Sequence, residues 1–279
     1  MARIFQNLRS FVFILIFVVT PCGADLPLMS KEILIQENIT RFSFGIAYGN
    51  QTQRTILSTR NQDMVSTQIG IRHGITPKTE IFGRTTASHL YRRSTAEKSE
   101  RRTKFNNLTL GINYSFLPEA KTPALLGYVE VEAMGNEGST GRVNVVYGKT
   151  WRIGLTTYRS FDPVVLSLSA GYNHAQRRNY FHSGNHVVFD PGDGFYIQPS
   201  LSFSINNKIS VSSGFQVIYS GKNKVDSEPT GIAFTRTNAT MGVGFALDKK
   251  TTIFGNLSAN VSGDEGSFVG LHITREIDW

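Results

Sequence analysis

From Arg41 onward the chain alternates apolar and small polar residues with a period of two, in run after run, and few architectures accept that pattern. The clearest run is Leu108, Leu110, Ile112, Tyr114 and Phe116, interleaved with Asn107, Thr109, Gly111, Asn113 and Ser115. Phe42, Phe44, Ile46 and Tyr48 open the series, and Ala239, Met241, Val243, Phe245 and Leu247 repeat it late in the chain. A period of two sends the two sets to opposite faces of a sheet. The polar set here is short and uncharged: Ser, Thr, Asn, Gln and Gly. A face washed by bulk solvent would draw Lys and Glu instead, so this one suits a wet, enclosed interior.

Twelve such strands are expected, near residues 41–48, 65–75, 79–91, 106–116, 124–133, 149–160, 164–175, 194–205, 209–220, 237–247, 251–261 and 267–279. Their lengths bracket the roughly 9–11 residues that a tilted membrane strand needs. The connections sort as well. Those after even-numbered strands are short turns, such as Thr76-Pro77-Lys78 and Phe161-Asp162-Pro163, whereas most after odd-numbered strands run from about 14 to 18 residues. Short on one rim and long on the other is the habit of outer-membrane barrels. In hydrocarbon an unpaired backbone group costs several kcal/mol, so the strands must close on themselves. The expectation is an all-β fold: a closed antiparallel transmembrane β-barrel of about twelve strands, with short periplasmic turns and long outer loops. Twelve strands imply a backbone diameter of roughly 24 Å, wide enough for an opening of roughly 10 Å.

The ends fit that compartment. Arg3 and Arg9 precede the apolar run Phe11 to Thr20, and Pro21-Cys22-Gly23-Ala24 suits signal-peptidase cleavage before Asp25. The run is too short for the roughly 20 residues of a spanning helix. The single cysteine is Cys22, so cleavage leaves a chain that relies on no disulfide. Residues 25–40 form a short N-terminal periplasmic segment, able to plug the lumen or to trail as a tail. The barrel then occupies 41–279. At the far end Val269, Leu271, Ile273, Ile277 and Trp279 share a face, and Ile273, Ile277 and Trp279 form a candidate signal for the outer-membrane assembly machinery.

The alternation points few charges inward: Arg41, Arg72, Arg84, Glu130, Glu132, Arg152 and Glu276. These could filter solutes as a charged constriction or simply fill the barrel with salt bridges. Tyr128, Tyr158 and Tyr196 face the same way and are candidates to line a path for an aromatic solute. No catalytic, cofactor or metal set is assigned. Phe181-His182-Ser183-Gly184-Asn185-His186 holds hydrolase residue types, but in a long loop with nothing to orient a base. Asp190-Pro191-Gly192-Asp193-Gly194 has too few oxygen ligands in order for calcium. The basic run Arg92 to Lys104 lies on an outer loop without a DNA-reading motif, so it is either an ordinary solvated loop or a contact for lipopolysaccharide phosphate, a nearer partner than nucleic acid.

Four stretches carry a resemblance. They are Gly74-Ile75-Thr76-Pro77-Lys78-Thr79-Glu80-Ile81, Phe161-Asp162-Pro163-Val164-Val165-Leu166 with Gly171-Tyr172-Asn173-His174, Asp190-Pro191-Gly192-Asp193-Gly194-Phe195, and Ile205-Asn206-Asn207-Lys208-Ile209-Ser210-Val211-Ser212. Together they resemble the outer-membrane β-barrel family named for the phenol meta-cleavage pathway. The resemblance implies a monomeric or trimeric transport barrel that takes up aromatic or hydrophobic compounds, and it brings no catalytic or ligand residues. The leading expectation is a channel for small molecules. The alternatives are an export channel working with periplasmic partners, and a filled barrel acting in adhesion or envelope integrity through its outer loops.

Overall fold

The computed structural model describes residues 34–54, 59–94, 99–136, 145–182, 185–230, 232–262 and 265–278. Twelve long strands carry the fold: β1 (Ile39–Arg54), β2 (Thr59–Thr76), β3 (Thr79–Ser94), β4 (Glu100–Leu117), β5 (Ala124–Asn136), β6 (Thr150–Phe161), β7 (Val164–Ala175), β8 (Gly194–Ser204), β9 (Ile209–Ser220), β10 (Phe234–Ala246), β11 (Thr251–Asn260) and β12 (Glu265–Asp278). Each pairs antiparallel with its neighbour in sequence, and β1 pairs with β12 from Ile39 opposite Asp278 to Thr52 opposite Glu265. The ring is therefore closed, and no edge strand is left to seek a partner.

The apolar set stands on the outside. Phe44, Ile69, Ile112, Ile153, Phe215 and Leu271 are among the large side chains left exposed, as a lipid-facing wall requires. Exposed aromatics bound this belt near both rims. Tyr48, Trp151, Tyr172 and Phe195 lie toward the long-loop end, and Tyr114, Phe116, Phe161 and Phe245 toward the short-turn end. No helix among the described residues is long and apolar enough to cross a membrane; the crossing is made by strands.

Two features differ from the sequence expectation. The first four strands are much longer than their apolar runs, because residues read as outer loops are paired. β1 and β2 stay in register out to Arg54 opposite Thr59, and β3 and β4 out to Arg92 opposite Glu100. At about 3.3 Å per residue, the hairpin beyond Tyr48 projects about 20 Å past the aromatic ring. The connections after β7 and β9 are also partly ordered. Arg178–His182, Asn185–Asp190, Lys224–Val225 and Glu228–Pro229 form a small second sheet on the outer rim. Local polar contacts help hold the β1–β2 and β3–β4 hairpins. In one of them Tyr48 and Asn50 both donate to Asp63 Oδ1, at 2.8 and 2.7 Å.

Candidate functional site

The lumen face is set by register. Successive pairings place Glu276, Arg41, Arg72, Phe82, Gly111, Glu130, Arg152 and Asn173 in one row across eight strands, from β12 through β1 to β7. Barrel strands are tilted, so the row climbs. It begins two residues from the short-turn end of β12 and finishes two residues from the long-loop end of β7.

Charges in the row and beside it pair with one another. Arg41 forms an ion pair with Glu276, and its guanidinium is nearly enclosed. Arg72 grips Glu80 through both nitrogens, Nε to Oε1 at 2.7 Å and Nη2 to Oε2 at 2.8 Å. Glu80 has no exposed surface and also accepts from Asn113 Nδ2 at 2.7 Å and from the Ile35 backbone N–H at 2.8 Å. Such complete satisfaction is what a buried carboxylate requires. Arg84 reaches both oxygens of Glu130, at 2.9 and 2.8 Å. Arg152 donates to the same carboxylate from the other side, and its Nε reaches Asn173 Oδ1 at 3.2 Å. Glu132 lies farther out, 4.0 Å from Lys149 Nζ.

A second row crosses the wall where Tyr128, Gly154, Gly171 and Tyr196 pair in turn on β5 to β8. The Tyr128 ring lies across Gly154 and the Tyr196 ring across Gly171, and their hydroxyls meet at 2.6 Å. Tyr158 does not join them; it is half-buried, opposite Ala124 and Ser167 near the short turns. The wall from β7 to β9 is held by neutral contacts. Ser167 and Ser200 hydroxyls are 2.6 Å apart, and Gln216 Nε2 donates to Gln198 Oε1 at 3.1 Å.

The sequence reading placed Asn113 on the inner face without giving it a partner, and missed Glu80, Phe82 and Lys149. Glu80 and Phe82 share parity with Arg84 on β3, so alternation alone could have placed these two. Lys149 escapes alternation because Gly148 adopts a left-handed φ of 61° just before β6 begins.

Residues 34–38 pack at the short-turn end. Glu37 bridges to Gly74, the Asn38 N–H donates to the Gly74 carbonyl at 2.9 Å, and Ile35 is buried. Gly74 is required there, since a Cβ would overlap the Gln36 carbonyl. Residues 1–33, on which the expected signal peptide falls, lie outside the described residues, as does Trp279. Ile273 and Ile277 are exposed on the outer face of β12. The backbones of Phe181 and His182 pair with those of His186 and Asn185, where a free loop is expected from the sequence; Ser183 and Gly184 are not described. Arg92 pairs with Glu100 at 3.3 Å and Arg93 with Asp63 at 3.1 Å, both on the projecting hairpins.

Two cavities follow the lumen. One of about 740 Å³ has Arg84, Tyr128, Glu130, Arg152, Tyr196 and Gln216 in its wall, and a second of about 330 Å³ has Arg41, Asn256, His272 and Thr274. They share Ser43, Gln68 and Arg72.

No family model and no curated protein matches the chain. Solved structures do. An outer-membrane channel from Pseudomonas putida F1 superposes with a TM-score of 0.68 at 12% identity, over 94% of this chain and 100% of its own. The chain has the outer-membrane barrel fold. The transport unit of the autotransporter AIDA-I from Escherichia coli gives 0.54 at 10% identity, covering 97% of each chain. The NanC porin gives 0.52 at 8% identity, over 84% of this chain and 98% of its own. At these identities the likeness concerns the fold. With its apolar belt and aromatic rings, the barrel resides in the outer membrane.

Proposed function

We propose that the barrel is a passive channel for small molecules, aromatic and hydrophobic ones among them. The observation that carries this reading is the pair of cavities sharing Ser43, Gln68 and Arg72. Together they run from Gly192 and Gly194 at the outer rim to Arg41 and Thr274 near the periplasmic rim. A barrel filled for strength alone would spend this volume on side chains. Gly45, Ala47, Ser66 and Gly270 line the smaller cavity instead. Phe82 and the two clasped tyrosines give the larger one an aromatic side, in keeping with the resemblance to the phenol meta-cleavage family.

On this reading residues 1–24 are a signal peptide, residues 25–40 a plug whose last turn is fixed at Gly74 and Glu80, and residues 41–279 the barrel. The charged row shapes the constriction. Ile273, Ile277 and Trp279 address the assembly machinery, and the projecting basic hairpins meet lipopolysaccharide phosphate. The Tyr91 ring, with Arg93 and Arg101 at 5.2 and 5.0 Å from its centroid, holds two guanidiniums on that face.

Single-channel conductance of the refolded protein in planar bilayers, with and without residues 25–40, tests the channel. Open events that grow on truncation support it. Silence in both forms, with heat-modifiable folding confirmed, moves the function to the outer hairpins.

A further inference from the structure

The ion pairs of the lumen are not symmetric toward water. In the Arg84–Glu130 pair the arginine side chain is 37% exposed and the glutamate 6%, and in the Arg152–Glu130 pair the figures are 38% and 6%. One carboxylate thus serves two guanidiniums and stands behind both. Arg72 and Glu80 repeat the arrangement at 25% and 0%. A pair that is neutral by count presents only its cationic half to a solute. The wall of the 740 Å³ cavity accordingly holds Arg72, Arg84 and Arg152 against Glu130 alone. The cavity wall on β8 and β9 sets no carboxylate against them among the described residues: Gln198, Gln216 and Ser220 line it there.

Geometry narrows the class further. A guanidinium carries five donors in a planar fork, and the two arginines on Glu130 direct only part of theirs at it. Carboxylates match that fork in two-point contact. An apolar flank lies beside it, with Phe82 5.8 Å from the Arg84 guanidinium carbon and the Tyr128–Tyr196 clasp in the same wall.

We infer that the lumen selects anions, and among organic solutes small aromatic carboxylates, at the Arg84–Glu130–Arg152 cluster. This rests on the channel reading and specifies its solute. The carboxylate meets the exposed guanidiniums while the ring lies along Phe82 and the tyrosines. Lumen water and salt weaken each charge, so one guanidinium is worth about threefold in ion preference.

The test is the reversal potential of the full mature chain in a potassium chloride gradient, followed by titration of the current with benzoate and with benzamide. Chloride preference, block by benzoate at concentrations at least about tenfold below those for benzamide, and loss of both in R84Q/R152Q are expected. R84Q alone keeps the fold testable should the double variant misassemble, and it lowers chloride preference about threefold. Potassium preference in an open channel, or equal block by benzoate and benzamide, overturns the inference and leaves the channel standing. Silence of a correctly folded barrel, both with residues 25–40 and without them, overturns both.

Discussion

The hydroxyls of Tyr128 and Tyr196 meet at 2.6 Å although two strands lie between them, and Gly154 and Gly171 are what let them do so. A Cβ at Gly171 would lie 2.6 Å from the Tyr196 ring and 2.7 Å from the Tyr128 hydroxyl; one at Gly154 would lie 2.7 Å from the Ala170 carbonyl and strike the Tyr128 ring. The small residues and the large ones are a single device. Gly154→Ala should therefore cost about 1–3 kcal/mol through overpacking, more than Tyr128→Phe, which gives up one hydrogen bond worth about 1 kcal/mol. Urea unfolding of the two variants in the same lipid gives the order, and a reversed order would break the link between clasp and glycines.

Gly74 offers a test at the opposite mouth. Gly74→Ala pushes the Gln36 carbonyl away and undocks residues 34–38 without touching the lumen row. Conductance should rise toward that of the form lacking residues 25–40. Unchanged conductance, with the barrel intact, would remove the plug from the reading.

Glu80 holds Arg72, Asn113 and the Ile35 N–H at once. Glu80→Ala removes a fully buried carboxylate from beside the Arg72 guanidinium and should cost about 3–5 kcal/mol. It should also free the N-terminal segment, read as faster proteolysis ahead of β1. Glu80→Gln keeps the volume and should lose less.

Asp248 sits in the turn between β10 and β11, outside the membrane belt. The backbone N–H of Lys250 at 2.7 Å, then that of Thr251 at 2.8 Å, hold its carboxyl below the ordinary carboxylate range. A carboxylate with a depressed folded pKa stabilises fully above its unfolded value of about 3.9 and loses that contribution as pH falls through the folded value. Asp248→Asn should thus be less stable than wild type at neutral pH, with the gap closing in acid. A gap that stays constant with pH would assign the loss to the turn's geometry instead of its charge.

Much of this barrel is written in its alternation. Leu108 to Phe116 against Asn107 to Ser115 is enough to place one strand and both its faces. The inward positions of Arg41, Arg84 and Glu130 follow from parity. Partnership does not, because pairing Arg84 with Glu130 needs the stagger of two neighbouring strands. Register shifts make this stagger irregular, between Thr86 and Ala87 where β3 meets β4, and between Leu108 and Thr109 where β4 meets β5. The projecting hairpins were illegible for a different reason. Their strands bury no apolar face, so Asn50, Asp63 and Arg93 give no periodic signal, although their side chains hold the pairing in place.

The join between β1 and β12 is the longest-range pairing in the molecule, and Arg41 and Glu276 sit on it, 235 residues apart in the chain. Pairings this distant form late, since the connecting chain must first be organised. Until β12 arrives, Arg41 lacks Glu276 and the climbing row of charge lacks its first member. Insertion and interior wiring are therefore finished in the same event. A chain stalled one strand short would expose both an unpaired edge and a lumen arginine still lacking its β12 carboxylate, two marks by which unfinished barrels can be told from finished ones.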